Sequence, residues 1–501
     1  MKKALLTALI SGIIIITVSC QHKQEQAATA NPPFSGFLQQ YYDQRMELFP
    51  FEATANGDNR FNDRMPIEIT IAYHNQMKSF YEGILQGLST YHRDSLSRED
   101  RISYDILEWE SRMGLEGLEF PDQLIPINQF WSLPLTLAQL GSGQSNQPFH
   151  TVIDYDNWLK RAGHFSEWCD TAIANMRIGI KEGYTLTNIL AERVVPQMSE
   201  IVKDDITQSV YYMPISNLPD SFSADDKSRL DSAYRELIKN VINPSYQKLY
   251  VFFRDEYVPA CRTTTGISEL PGGKERYAYL AKYWTTTTLS PDSIFNLGMS
   301  EVKRLRSEME VVMKETGYKG DLRSFFNFLN TDKRFFPYKK PQEILDAFNH
   351  IYEVMKPQLS NLFDQTPRSA FEVRQTEKFR EASASAEYNP GTADGSRPGI
   401  FYVPIPDAAK FNTFGMEDLF LHEAIPGHHF QNMLSIENDS LPMFRRFIWY
   451  GAYGEGWALY TESLGKELGL YKDPYQYVAS LSEEMHRAIR LVVDVGMHLK
   501  G

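Results

Sequence analysis

Cysteine is scarce in this sequence, with three in 501 residues, and the first of them, Cys20, lies in the N-terminal segment. Cys169 and Cys261 are the pair that a disulfide in the body of the chain could join. An oxidising compartment would allow that bond, but the separation of the two positions along the sequence does not show whether they meet. We expect two buried free thiols, because an unpaired cysteine packs as a small hydrophobic residue.

Positive charge is also in short supply: Lys and Arg number 51 against 64 Asp and Glu, and the formal net charge is -13. Removal of residues 1–19 would take away two lysines and no acidic residue, which brings the charge to -15. So acidic a chain is poorly suited to bind nucleic acid or an anionic membrane surface. No repeat with a period of roughly 20–50 residues is present, which argues against a repeat protein. A composition of 42% hydrophobic and 23% charged residues excludes a wholly disordered chain.

The first twenty residues have the pattern of a bacterial lipoprotein signal. Two lysines precede the largely apolar run Ala4–Ile16, and Thr17-Val18-Ser19-Cys20 follows. This pattern predicts a signal peptide at residues 1–19 and a lipid on Cys20, which would anchor the protein to a membrane of the bacterial cell envelope, facing the periplasm or the cell surface. A transmembrane anchor is the alternative, but it needs roughly 20 apolar residues and this run is shorter. Residues 20–33 are polar and alanine-rich, as is typical of a flexible tether.

Helical patterns dominate Phe34–Arg380. Apolar residues recur at three- and four-residue spacing in four segments: Ala72–Leu88, Arg98–Gly114, Tyr155–Glu182 and Lys227–Tyr257. Ser290 suits the N-cap of a further helix, with Pro291 in its first turn and its end near Thr316. We expect these helices to form the scaffold of the protein.

A different pattern follows at residues 388–406, where proline and glycine disfavour a helix. Within it, Gly399–Pro404 is rich in β-branched and aromatic residues, which predicts a short strand. If this strand lies at a sheet edge beside an active site, it could pair with the extended backbone of a substrate. A structural hairpin is the other interpretation. Arg397 and Tyr402 are candidate substrate-binding residues.

The main candidate for chemistry is the stretch Leu419–Gln431, which reads LFLHEAIPGHHFQ. It contains three histidines, and Glu423 directly follows the first of them, His422. Neutral imidazoles and a carboxylate are ligands that zinc and related divalent metals prefer. Glu423 is a candidate catalytic base, since a carboxylate at this position can take a proton from metal-bound water.

The histidine spacing differs from the H-E-x-x-H motif, in which two histidines four residues apart share one helical face. Pro426 stands four residues after His422, whereas His428 and His429 stand six and seven residues after it. On an unbroken helix His429 would lie about 10 Å from His422, too far for both to bind one ion at roughly 2 Å. A helix broken at Pro426 and Gly427 would bring His428 back toward His422, and could in principle bring His429 instead. We assign His428.

Glu455, 27 residues after His428, is the predicted third ligand. The intervening segment is long enough to return a second helix to the site, and Gly454 and Gly456 flank the carboxylate with little bulk. Water would occupy the fourth position of an open catalytic site. Glu462 lies on the same helical face as Glu455, so it could orient a ligand histidine or could simply be a surface carboxylate.

Two stretches, His422–His429 (HEAIPGHH) and Glu455–Tyr460 (EGWALY), together resemble the DUF885 family of bacterial proteins. Further matching stretches are Gly266–Tyr279, Asp394–Val403 and Arg490–His498. That family is similar to helical zinc peptidases whose third ligand is a downstream glutamate. The resemblance covers nearly all of the chain after the signal peptide, and it implies a mostly helical metallopeptidase without naming a substrate. Family members continue beyond residue 501, so we expect this chain to be truncated at its C-terminus, which puts its activity and stability in question.

The last helical segment carries a polar stripe, because His486, Arg490, Asp494 and His498 recur every four residues. The residues around the stripe are apolar, which predicts a helix buried on most sides. Buried ionisable groups need partners or a wet cavity, so the stripe could line the active-site cleft. There His498 would be catalytic by binding the oxyanion formed on the scissile carbonyl. The alternative is a buried Arg490–Asp494 ion pair that orders the core.

These patterns predict a mainly α protein, one large unit over residues 34–501 with a deep cleft and a minor β element, and the resemblance implies that this unit is a zincin-like metallopeptidase. The predicted function is zinc-dependent hydrolysis of the peptide bonds of short peptides. In this prediction His422, His428 and Glu455 hold Zn²⁺, and Glu423 is the base. Two alternatives stay open: a lipoprotein that binds peptides without cleaving them, and a zinc hydrolase of a non-peptide amide or ester. The sequence distinguishes neither exopeptidase from endopeptidase action nor one oligomeric state from another.

Overall fold

The computed structural model describes residues 33–130, 132–376, 381, 384–392 and 398–501. Within these ranges the protein is mainly helical and contains one small three-stranded sheet, as the sequence predicts for the fold class. Among the described residues, no helix combines the length and the apolar character needed to cross a membrane. The predicted signal peptide and the lipid-bearing Cys20 lie outside the described residues.

The first helical layer packs around a core that includes Tyr41, Ile84, Leu107 and Phe444. Its helices are α1 (Phe34–Leu48), α2 (Pro50–Ala55), α3 (Ile71–Leu88) and α4 (Arg98–Gly117). The helices α3 and α4 confirm two of the predicted helical segments. Each begins after a hydroxyl residue whose side chain accepts a backbone N–H of the first turn, which stabilises the helix start.

The largest core lies under the next eight helices and is built from aromatic side chains such as Trp158, Phe165 and Tyr246. These helices are α5 (Leu133–Gly141), α6 (Val152–Gly163), α7 (Phe165–Glu182), α8 (Asn188–Ile201), α9 (Met213–Ser216), α10 (Ala224–Leu237), α11 (Asn243–Phe252) and α12 (Val258–Ala260). The segment predicted as helical over Tyr155–Glu182 is two helices. Cys169 is buried in this core and Cys261 is partly buried, and both are free thiols, as expected.

Four helices connect this core to the sheet: α13 (Gly273–Thr285), α14 (Pro291–Glu315), α15 (Leu322–Thr331) and α16 (Pro341–Met355). The predicted start of α14 is confirmed, because the Ser290 side chain accepts the backbone N–H of Ser293 and Pro291 is the first helical residue. α16 packs its buried face, which includes Phe348, against the sheet and the helices that follow it.

The sheet consists of β1 (Phe371–Gln375), β2 (Glu387–Asn389) and β3 (Gly399–Val403). The predicted strand is present as β3, but it is the central strand, parallel to β1 and antiparallel to β2. The interpretation of this strand as an edge that pairs with substrate is therefore wrong, because both of its sides are already paired within the sheet. The sequence did not reveal the two neighbouring strands.

The last helices are α17 (Met416–Glu423), α18 (His428–Ile436), α19 (Met443–Phe447), α20 (Gly451–Glu462) and α21 (Pro474–Val495). α21 packs along α14 through a face that includes Leu481 and Ala488. The prediction that α21 is buried on most sides is wrong, since His486, Arg490 and Asp494 are exposed. The proposed buried Arg490–Asp494 ion pair is therefore also wrong.

Candidate metal centre

The candidate site begins where α17 ends at Glu423 and α18 begins at His428. The four residues between them form a tight turn that contains a cis Ile425–Pro426 peptide bond. A Cβ atom on Gly427 would lie 1.9 Å from the carbonyl oxygen of His422, so a side chain cannot be accommodated there. Glycine therefore allows the backbone to pass directly over the end of α17 and to start a second helix beside it. The helix is broken at Pro426 and Gly427, as the sequence indicates.

This turn brings the imidazoles of His422 and His428 together, with their ring centroids 4.8 Å apart. Glu455 reaches both rings from α20: its carboxylate oxygens lie 3.5 Å from Nε2 of His422 and 3.7 Å from Nε2 of His428. One ligand atom from each of the three residues lies within 4.8 Å of the others. Both histidines are buried, whereas the Glu455 side chain is 56% exposed, so the triad opens to solvent on the side of Glu455.

His429 points to the opposite side of α18, toward the sheet. Its Nδ1 lies 2.9 Å from the hydroxyl of Tyr388, and its ring packs 5.5 Å from that of Phe371. A Cβ atom on Gly399 would lie 2.5 Å from the same Nδ1, so the glycine at the start of β3 leaves room for the ring. The structure thus brings His428, and not His429, to His422 and Glu455.

α20 holds the site together through side chains of its inner face. The Thr461 hydroxyl donates to the carbonyl of Leu421 at 3.0 Å, and the indole N–H of Trp457 donates to the carbonyl of Pro426 at 2.8 Å. Glu462 is 2% exposed and places Oε1 2.7 Å from Nδ1 of His422. The surface interpretation of Glu462 is therefore wrong. A carboxylate at Nδ1 keeps the proton on that nitrogen and leaves the Nε2 lone pair free for a metal.

Comparison with known proteins identifies the family and the fold of this chain. Residues 50–501 match the model of a family described as "Bacterial protein of unknown function (DUF885)". The chain belongs to the DUF885 family. No curated protein matches it.

Two solved structures share the fold of this DUF885 protein. One is a candidate lipoprotein from Colwellia psychrerythraea, with a TM-score of 0.82 and 23% sequence identity, over 93% of this chain and 83% of the other. The second is a candidate lipoprotein of unknown function from Shewanella oneidensis, with a TM-score of 0.70 and 17% identity, over 94% of this chain and 84% of the other. At these identities the likeness shows a shared fold.

The donors of this DUF885 protein fit a zinc ion in type, and the two distances to Glu455 fit it in spacing. Two imidazole nitrogens and one carboxylate are a common catalytic ligand set for zinc. Ligands about 2.1 Å from a tetrahedral ion stand about 3.4 Å from each other, which is close to the 3.5 and 3.7 Å found between Glu455 and the two histidines. The Nδ1 atom of His428 is buried without a hydrogen-bond partner among the described residues.

Burial and neighbouring charges shift the pKa values of three groups at the triad. Burial disfavours the charged form of His422, but hydrogen bonds to Glu455 and Glu462 outweigh it and raise its pKa to about 9. Burial, together with the charge on His422, lowers the pKa of His428 to about 4. Burial raises the pKa of Glu423 to about 7, although the nearby charge of His422 opposes the shift. In the metal-free protein the Glu423 carboxyl therefore titrates near neutral pH.

Sequence reasoning missed two residues that lie behind His422. Arg487 of α21 places Nη2 3.4 Å from Oε1 of Glu462 and 3.1 Å from Nδ1 of His422. Asp418, 2% exposed, lies near Glu462, and burial followed by the charge of Glu462 raises its pKa to about 8. Arg487 has an acidic residue four positions before it, but the same pattern is common on exposed helix faces, so it carries no specific signal.

His498 does not join the triad. Its Nδ1 accepts the backbone N–H of Ile267 at 3.1 Å, and its ring packs 5.6 Å from that of Tyr277. It stands eleven residues after Arg487, which corresponds to about 16 Å along a helix. This position gives no support to an oxyanion-binding role. The basic side chain that α21 does bring to the site is Arg487.

Of the two candidate substrate-binding residues, Tyr402 and Arg397, the structure describes only Tyr402. Tyr402 lies on the central strand β3, opposite Arg374 of β1 and Glu387 of β2 in the strand register. Glu387 is close enough to contribute to the raised pKa of Glu423, so this part of the sheet lies near the site. A role for Tyr402 in binding substrate stays a prediction. Arg397 lies outside the described residues.

Proposed function

We propose that this protein is a zinc-dependent hydrolase of peptide bonds with a zincin-like helical fold. The observation that carries the proposal is the convergence of His422, His428 and Glu455 from three helices, α17, α18 and α20, with Glu423 directly after the first ligand. This combination supplies a ligand set, an open side and a buried carboxyl group beside it, which are the parts that metal-assisted hydrolysis needs.

In the proposed reaction His422, His428 and Glu455 hold the zinc ion. When bound, zinc would polarise the scissile carbonyl and lower the pKa of water. Glu423 takes a proton from the attacking water and passes it to the nitrogen of the leaving amine. Its position supports this role, because Glu423 is buried and directly follows the ligand His422. Glu462 fixes the orientation of His422 through Nδ1.

We further propose that the protein works at the bacterial cell envelope, attached through a lipid on Cys20. The signal-like N-terminus supports this location, as does the description of both structural relatives as candidate lipoproteins. Peptides present in that compartment would be its substrates.

The test is a peptide-library digest read by mass spectrometry, combined with metal analysis of the purified protein. We expect one zinc per chain, cleavage that a chelator abolishes, and a decrease in kcat of at least about 100-fold in Glu423→Gln with zinc content unchanged. The exposed Glu467→Gln, which makes the same chemical change, is the matched control. Undiminished cleavage by Glu423→Gln would contradict the role of the base, and failure to take up zinc would contradict the metal centre.

A further inference from the structure

A small cavity lies between the first helical layer and the segment that precedes α20, and Trp449 separates it from the triad. Its volume is about 230 Å³. Pockets that enclose whole drug-sized ligands measure about 300–1,000 Å³, so this cavity suits a single side chain or a terminal group. Trp449 forms the wall that it shares with the triad: the indole lies 5.8 Å from the ring of His428 and packs closely against Gly454, the residue before Glu455.

The charged groups of the cavity leave an excess of negative charge. Arg45 places Nε 2.7 Å from Oε1 of Glu52, and its Nη1 donates to the hydroxyl of Tyr41 at 3.1 Å. Glu110 also lines the cavity, but its nearest oxygen lies 3.7 Å from Arg45, which is longer than a hydrogen bond. One guanidinium therefore faces two carboxylates, and the Glu110 side chain is only 12% exposed.

Most other lining residues are aromatic, and they include Tyr41, Tyr283 and Trp449. Aromatic faces attract cations, and the attraction is strongest where water is partly excluded. An anion would meet two carboxylates in this space, whereas a neutral apolar group would leave Glu110 with a single cation, Arg45, that it shares with Glu52. A cationic group satisfies both the carboxylate and the rings.

We propose that this cavity binds a positively charged group of the substrate, an ammonium or guanidinium, and that the enzyme therefore prefers peptides with such a group close to the scissile bond. The inference rests on the proposed peptide hydrolysis and specifies its substrate class. The cationic group would be either a basic side chain or a free amino terminus, which share the same chemistry in this cavity.

The test compares kcat/KM for matched peptides: lysine against norleucine, arginine against citrulline, and a free against an acetylated amino terminus. We expect the wild-type protein to favour the charged member of at least one pair by about tenfold or more, and that pair identifies the source of the cation. In Glu110→Gln the ratio within that pair should fall toward one. Glu108→Gln, two residues away on α4 and outside the cavity, should keep the wild-type ratio.

Direct binding separates this inference from the proposed function. Argininamide and lysinamide should bind the zinc-free wild-type protein more tightly than norleucinamide does, and Glu110→Gln should lose the difference. A thermal melt of each variant checks folding, and Tyr283→Leu, which removes an aromatic wall without altering the ion pairs, provides a second variant. If the cationic amides bind selectively but no peptide is cleaved, the cation site is supported and the proposed peptide hydrolysis is contradicted. Cleavage with the same kcat/KM for both members of every pair would contradict the assignment of the cavity as a cation site.

Discussion

Oε1 of Glu462 lies 2.7 Å from Nδ1 of His422, while Glu455 of the same helix approaches Nε2 on the other side of the ring. Seven residues separate the two glutamates, so they stand on one face of α20, about two turns apart. One helix therefore supplies both a candidate metal ligand and the group that orients another. Glu462 is buried and Glu455 is half exposed, so the same side-chain type stands in two different surroundings on one helix.

Replacement of Glu462 tests this relationship. Glu462→Gln removes the charge that keeps the proton on Nδ1 of His422, so Nε2 becomes a weaker ligand. We expect the dissociation constant for zinc to rise about 10–100-fold, measured by competition with a chromophoric chelator. The exposed Glu467→Gln should bind zinc like the wild type. Equal affinities for both variants would show that Glu462 has only a structural role.

The two neighbouring histidines should respond differently to substitution. His428→Ala removes a donor of the triad, so the purified protein should lose its zinc. His429→Ala should keep one zinc per chain but should lower the free energy of unfolding by about 1–3 kcal/mol, because it removes the hydrogen-bond partner of Tyr388. Metal analysis and urea denaturation measure the two effects. Loss of zinc in His429→Ala, with retention in His428→Ala, would reverse the assignment.

The turn between α17 and α18 should tolerate no side chain at Gly427. In Gly427→Ala the added methyl would collide with the carbonyl of His422, so we expect a loss of about 3 kcal/mol or more in stability, together with weakened zinc binding. Gly456→Ala is the matched control, since a Cβ there meets no atom within 4 Å. In the middle of α20 that substitution should stabilise the helix by about 0.5–1 kcal/mol. Urea denaturation of both variants would show the contrast or refute it.

The zinc-free protein should lose stability as the pH rises. The folded-state pKa of His422 is about 9, above the unfolded value of about 6.5, so its stabilising effect is complete below pH 6.5 and is lost by about pH 9. The pKa values of Glu423 and Asp418, raised to about 7 and about 8, act in the same direction, so Glu423→Gln should reduce this trend without abolishing it. Urea denaturation in the presence of a chelator at pH 6.5, 7.5 and 9 measures the trend.

Zinc affinity should change in the opposite direction over the same range. Zinc binds the neutral imidazole, and therefore a proton must leave His422 at any pH below about 9. We expect affinity to increase by up to about tenfold per pH unit between pH 6.5 and 9. His428, with a pKa lowered to about 4, contributes nothing in this window. A dissociation constant that does not depend on pH would contradict the protonated state of His422.

The candidate ligands could be found from the sequence because their chemistry is local. A proline and a glycine between His422 and His428 show where the helix breaks, and a carboxylate flanked by glycines follows at a distance that allows a second helix. The helical class and the start of α14 were also predictable, since apolar spacing and the capping of Ser290 depend on neighbouring residues alone.

Other features depend on contacts between distant segments. Whether His428 or His429 faces His422 was decided by the sheet, because Tyr388 and Phe371 hold the ring of His429 on the far side of α18. The exposure of α21 was decided by its packing, which lies mainly along α14 with a smaller contact to α17 and leaves His486, Arg490 and Asp494 exposed. A hydrophobic pattern shows which face of a helix can be buried, but not how many neighbours cover it.

The sequence by itself thus determined the fold class, the broken helix and the set of residues able to hold a metal. The tertiary structure alone decided that β3 is a central strand, that Glu462 is buried behind His422, and that Arg487 rather than His498 reaches the site. The physical reason is that ligand type and backbone breaks are properties of consecutive residues. The direction of a side chain and the residues that it contacts depend on how elements from distant parts of the chain pack together.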